Sequence, residues 1–267
     1  MSDFDGGARG FPPAPRDQPS VPAMPPPPPL LAPPPGYVAY GGVNQGAFGA
    51  FQRVGGLAKG LGICLMVLIP IEVLSLIISV GDRSKARDFI QGKISEDDYK
   101  STVGSAALLG IATFALFIAV AVLTVVWMFR MAKNAQVMQR MGTWKPGWAI
   151  AGWFVPPFVL YVVPFLMLRD LWKASDPDTT GDWRQNRVGP IVTVWWVLYG
   201  LAPLAFISVT IASFQLDRTA LDAAKEIDSK FGITLLSSVV QVAAAVAFLL
   251  LVRQLTDRHR RTINETR

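Results

Sequence analysis

The chain has 267 residues, 51% of them apolar and only 16% charged, with a net charge of +6 and a mean hydropathy of +0.37. Soluble domains carry about 25% charged residues, and the apolar runs of about 20 residues that recur here are what a bilayer requires. A soluble class is excluded. The basic balance does not point to nucleic acid, because the lysines and arginines flank apolar runs and no basic patch with interleaved aromatics stands outside them. One cysteine, Cys64, excludes an intramolecular disulfide and a cysteine-cluster metal site. The only histidine, His259, sits in an arginine-rich tail and reads as solvated.

Residues 1–52 read as a disordered tail. Thirteen of the 21 prolines precede Gly36, and proline lacks an amide donor and fixes φ, so the strip is extended and polyproline-II-like. No secretory signal precedes the first apolar run, so the first span itself directs insertion. The membrane domain covers 53–254 and a basic tail 255–267. Asn264-Glu265-Thr266 fits the glycosylation pattern, which in a cytoplasmic tail reads as chance.

Span one covers 57–80, with Pro70 inside it and Glu72 two residues on. A charge there costs about 2.5–3.5 kcal/mol on insertion scales, so Glu72 must face the bundle, find a partner or take a proton. The polar connection 81–104 contains Ser95 followed by Glu96, Asp97 and Asp98, an N-cap with an acidic first turn. The second helix therefore starts near Glu96, enters the bilayer near Ser105 and spans 106–129. Its Gly110, Ala112, Ala115 and Ala119 suit close helix packing. The acid-free stretch 130–147, with Arg130, Lys133, Arg140 and Lys145, reads as a cytoplasmic loop. Trp127, Trp144 and Trp148 suit the headgroup zone.

The stretch from Trp144 to Pro177 has the apolar length of a span but is broken by Pro156, Pro157 and Pro164. It reads as half-helices at 150–154 and 158–173, tolerated at membrane depth only where protein or a water-filled cavity receives the freed backbone groups. A further span covers 190–212. The amphipathic connection 213–232 leads to the last span, 233–252, where Gln241 is the single polar side chain.

Loop charges set the topology. If the central stretch dips in and returns, four crossings leave both termini and the larger share of lysine and arginine inside. The fold class is therefore an all-α membrane protein with four transmembrane helices, a proline-broken re-entrant or interfacial segment and a disordered proline-rich tail. Five spans with the N-terminus outside is the alternative.

Trp127–Ala135 (WMFRMAKNA), Trp144–Ala149 (WKPGWA), Gly152–Pro156 (GWFVP) and Leu171–Pro177 (LWKASDP) together resemble the domain-of-unknown-function 4328 family of bacterial multi-pass membrane proteins. The likeness is specific over 127–177 and looser over 57–252. It implies a bacterial cell-membrane location and no activity. This chain reads PPFVLY where the family often has an asparagine after the central proline, so that residue's role is not carried over. Glu72 and Pro164, with Arg130, Asn134, Trp148, Trp153, Pro156, Trp172 and Asp176 from the matched motifs, are the candidate functional or structural residues. Trp153 and Trp172, beside the broken helix, stand apart from the interfacial tryptophans, and Ser175-Asp176-Pro177 reads as a stop and turn.

Enzymatic chemistry finds no support. A lone histidine in the tail gives no embedded Ser–His pair and no histidine metal site, and every aspartate lies outside the spans. No cofactor or metal is expected. A non-catalytic scaffold, sensor or accessory subunit fits best, with a small transporter or channel around Glu72 and the broken helix as the alternative. The partners expected are the lipid bilayer, anionic lipid headgroups at the basic loops, a protein reading the proline-rich tail and a second copy of the chain.

Overall fold

The structure is a computed structural model that describes residues 50–140, 142, 144–154, 162–202 and 219–265, with the side chains of 102–108 left aside. These residues belong to one unit, 41–267. Their regular elements are all helical, with no strand among the described residues. In order they form α1 (Gly55–Ile90), α2 (Glu96–Val137), α3 (Trp148–Ala151), α4 (Val162–Ala174), a 3-10 turn (Trp183–Gln185), α5 (Pro190–Trp196) running into a π-turn (Val197–Leu201), and α6 (Ala220–Thr262). Three of these helices are long and apolar enough to cross a bilayer, and they mark the chain as a membrane protein.

The helix boundaries follow from local chemistry. Ser95 caps α2, accepting from Asp98 N at 3.1 Å while its hydroxyl donates to the Asp98 carboxylate at 2.6 Å, as the sequence predicts. Thr219 caps α6 in the same way. The first connection is more helical than expected, since α1 continues ten residues past Val80, whereas the amphipathic pattern of the second is met over 220–232, which α6 absorbs into one helix of 43 residues. At 1.5 Å per residue α6 is about 65 Å long, roughly twice a hydrocarbon core, so it projects beyond the apolar zone.

α1, α2 and α6 all end in Schellman turns. In the first, Lys93 N bonds Asp88 O and Gly92 N bonds Phe89 O, with Gly92 at φ +72°. The other two place a larger residue in the left-handed region, Gln139 at φ 57° and Asn264 at φ 52°. Those two turns aim Arg140 and Glu265 back at the bundle.

α1 runs antiparallel to both α2 and α6. Arg83 meets Asp228 near one end, and Gly55 lies beside Arg260 and Glu265 at the other. The core lies mostly toward the second end, where Leu61, Leu65, Trp127, Met128, Met131, Met167, Leu168, Leu251 and Leu255 are buried. The opposite end carries a small cluster of Ala86, Tyr99 and Ala224.

The central stretch differs from expectation in one respect. Pro164, read as a break, lies within α4 and is buried there; the residues before Val162 lie outside the described ones. Pro156 and Pro157 lie outside the described residues. Gly152, just after α3, packs against Val163 in the first turn of α4, so the chain leaves and returns at one place.

Candidate functional site

The site lies where α1 begins and α2, α4 and α6 end. Along α6 the buried residues Ala247, Leu251, Leu255 and His259 recur every fourth position, so helical phase carries the inner stripe into the basic tail. His259 is therefore not solvated: it is 0% exposed. Two further fully buried polar side chains meet it. Asn134 Nδ2 lies 3.0 Å from His259 Nε2, and Ser175 Oγ lies 2.8 Å from Nδ1.

The bonds around Asn134 fix the imidazole tautomer. Asn134 Oδ1 accepts from Gln52 N at 2.7 Å and Nδ2 donates to Gln52 O at 2.8 Å, so the amide cannot be turned over without losing both. Nδ2 then donates to His259, Nε2 is the bare nitrogen, and Nδ1–H donates to Ser175 Oγ. The expectation that no serine–histidine pair is embedded fails, yet the pair is not a nucleophilic one. A catalytic serine gives its proton to a bare imidazole nitrogen; here Ser175 faces the protonated one.

His259 stands two turns beyond Val252, where the last apolar run ends. Burial there pushes its pKa down from 6.5 to about 4. Protonation would add a hydrogen at Nε2 pointing at the Asn134 amide hydrogens, donor against donor. The neutral ring is the form this cage holds.

Other bonds widen the cage into a clamp. Thr262 Oγ1 donates to Ser175 O at 2.8 Å, and Trp127 Nε1 donates to Thr256 Oγ1 at 3.0 Å. Glu265 accepts from Val54 N at 3.2 Å and from Gly55 N at 3.1 Å. α1 has no side-chain cap of its own, so the C-terminal tail supplies the acceptor and a negative charge for its N-terminus. Arg130 donates to Arg53 O at 3.0 Å. Arg140 donates to Ala174 O at 3.1 Å and Asp176 O at 2.8 Å, and the Asp176 carboxylate pairs with Arg258. Ser175-Asp176 is a turn, as predicted, and also the place where α2 and α6 are tied to α4.

Of the sequence candidates, Asn134, Arg130, Trp172 and Asp176 come together here. Trp172 is buried, with the Arg258 guanidinium 5.5 Å from its ring centroid and Gly189 so close that any Cβ would overlap the ring. Trp153 packs edge-on to Tyr199, and Trp148 is 38% exposed and edge-on to Trp144. Of the tryptophans read as interfacial, Trp127, Trp183 and Trp195 are buried against protein, as is Trp172, which stood apart from them. Glu72 is not part of this site; it lies half-buried on α1, further toward the Ala86–Tyr99 end. A recess lined by Arg140, Trp144, Asp170 and Leu171 has room for about one water molecule.

A helical membrane protein whose helices are clamped at one end by buried polar bonds is the class defined by this geometry. Its family is that described as Domain of unknown function (DUF4328), whose model matches residues 91–257, and the chain belongs to it. The match takes in Asn134, Ser175 and most of α6. No curated protein and no solved structure matches the chain.

Proposed function

We propose that the protein is a non-catalytic scaffold, sensor or accessory subunit of the bacterial cell membrane, with four crossings, a re-entrant central element and both termini in the cytoplasm. The observation that carries this reading is the clamp: Gln52, Arg53 and Val54, the root of the proline-rich strip, are held by Asn134, Arg130 and Glu265. Backbone tied in this way anchors the residues that follow the proline-rich strip, and the strip is the part we assign to a partner. The re-entrant reading is supported by the return of the chain at Gly152 and Val163. The orientation is supported by the lysines and arginines of 130–147, 169–187 and the tail. Lys133, Lys145 and Arg261 would attract anionic headgroups at about 1 kcal/mol per charge.

The test is labelling with an impermeant thiol reagent from outside the cell. Single cysteines are placed at Gln45, Ile90, Lys145, Thr180, Leu221 and Arg261 in a Cys64→Ala background. Labelling at 90 and 221 alone is expected. Labelling at 45, 145 and 221 would make the central stretch a fifth span, put the strip outside and overturn the reading. A small transporter or channel is the second reading, favoured by the place of Glu72 on the inner stripe of α1.

A further inference from the structure

The inner stripe of α1 changes character halfway along. Leu61, Leu65 and Leu68 are buried and apolar. The same alternation of three and four residues then continues through Glu72, Ser75, Ser79 and Asp82, all half-buried, to Ala86, buried again. The opposite face is apolar and exposed at Val73, Leu74, Ile77 and Val80, as a lipid-facing surface is. A polar stripe of four side chains therefore faces the bundle, not the lipid, and reaches from the Asp82 end to the middle of the helix.

The contacts on either side give the stripe its surroundings. Met66 meets Arg253 and Arg83 meets Asp228, so Glu72 falls at the depth of Gln241 on α6, the one polar side chain in that span apart from hydroxyls. Gly60 lies by Leu123 and Phe89 stacks on Tyr99, which puts Thr113 of α2 near the same depth. Neither 106–129 nor 233–252 contains an ionisable residue. Among the described residues, the charged groups that flank the stripe are Asp82 and the Arg83–Asp228–Arg87 cluster at one end, and Lys59 and Arg253 at the other. Among the described residues Glu72, Ser75 and Asp82 have no hydrogen-bond or ion-pair partner, and Ser79 donates to Leu76 O.

Where the stripe opens, Tyr99 is 3% exposed and its hydroxyl is buried with no hydrogen-bond partner. Burial, and then the Asp82 carboxylate, hold that phenol above its ordinary pKa of 10, so the two groups lie close. Buried, unpaired polar atoms of this kind are the usual hosts of internal water. An unpaired carboxylate on a membrane helix, at the blind end of a polar stripe, is by itself a place for a proton.

We propose that Glu72 is a proton-binding site reached from the Asp82 end of α1 along Ser79 and Ser75, and closed toward the clamp by Leu68, Leu65 and Leu61. Hydronium gives a proton to a Glu72 carboxylate oxygen, an O–H bond forms, water is left, and the neutral acid remains; the reverse step returns the proton to the same side. A metal cation is disfavoured by donor number, since hard cations take six or more oxygens and Glu72 offers one carboxylate with scattered hydroxyls. The inference needs only that α1 lie in the bilayer, and it stands whether or not the scaffold reading does.

The test uses full-length protein in sealed vesicles of known orientation, with the pH set separately on each side. Dicyclohexylcarbodiimide dissolves in the bilayer and modifies carboxyls in their protonated form, and mass spectrometry reads the adduct on the peptide carrying Glu72. At least a tenfold rise between pH 8.5 and pH 5.5 is expected, following the compartment at the Asp82 end and absent in Glu72→Gln. An adduct that ignores pH, follows the other compartment, or never forms overturns the proposal. In parallel, Ser75→Cys and Ser79→Cys should react with an impermeant thiosulfonate from the Asp82 side at least tenfold faster than Leu74→Cys and Ile77→Cys. Equal rates would remove the water path.

Discussion

At the clamp end, α1, α2, α4 and α6 meet over tryptophan, methionine and leucine, with Asn134, Ser175 and His259 sealed among them. At the other end α1, α2 and α6 share Ala86, Tyr99 and Ala224, and their charged contact is Asp228 with Arg83 and Arg87, at 2.9 and 2.7 Å and partly in solvent. The same three helices are thus held in two ways. Buried polar bonds are expensive to break, because each orphaned partner bears its full desolvation cost. Exposed ion pairs contribute little. The clamp end should behave as the rigid base and the other end as the adjustable one.

The largest expected effect is at Asn134. Asn134→Ala strands Gln52 N, Gln52 O and His259 Nε2, and at about 1–3 kcal/mol each the loss should be about 4 kcal/mol. Thermal unfolding of the purified protein in detergent would measure it. A change within 1 kcal/mol would mean that the clamp end holds no tighter than its opposite.

Acid should attack the clamp next. The folded pKa of His259, about 4, lies below the ordinary 6.5. The unfolded state therefore binds more protons between those values, and stability rises with pH there. Read downward, stability falls from pH 6.5 to about 4, by on the order of 3 kcal/mol in all. A pH series of unfolding midpoints checks this, and in His259→Gln the part of the fall above pH 4.5 should disappear.

A smaller effect is expected at Glu265. Glu265→Ala uncaps α1 and should cost about 1 kcal/mol. It should also raise hydrogen exchange at Val54 and Gly55 while leaving 220–232 unchanged. Smallest of all is Asp228. The carboxyl of Asp228 is held below its ordinary pKa by hydrogen bonds from Arg83 and Arg87. Asp228→Asn should nevertheless change the unfolding midpoint little, and raising salt to 0.5 M should erase the difference. A large, salt-resistant loss would erase the contrast between the ends.

Much of the scaffold is legible in the residues. Ser95 with three acidic neighbours announces the start of α2, and apolar length alone finds three long helices. The clamp is harder to see, for a physical reason. Asn134 and His259 lie on two different helices and Ser175 in a turn after a third, and a histidine among arginines carries the composition of a solvated tail. Its one signal is phase: Ala247, Leu251, Leu255 and His259 keep the four-residue step of a buried stripe past the end of the apolar run. Trp127 misleads by composition too, since a tryptophan near a span end suits the headgroup zone, but its indole finds Thr256 on the neighbouring helix.

The measurement that tests the clamp most directly uses the fact that His259 is the only histidine. The protein is labelled with 15N-histidine, and the two ring-nitrogen signals are followed in detergent from pH 8 to pH 4. The structure predicts one neutral ring with the proton on Nδ1 and a bare Nε2, unchanged at pH 6. A ring that is protonated on Nε2, or that titrates near 6.5 like a free imidazole, would contradict the clamp.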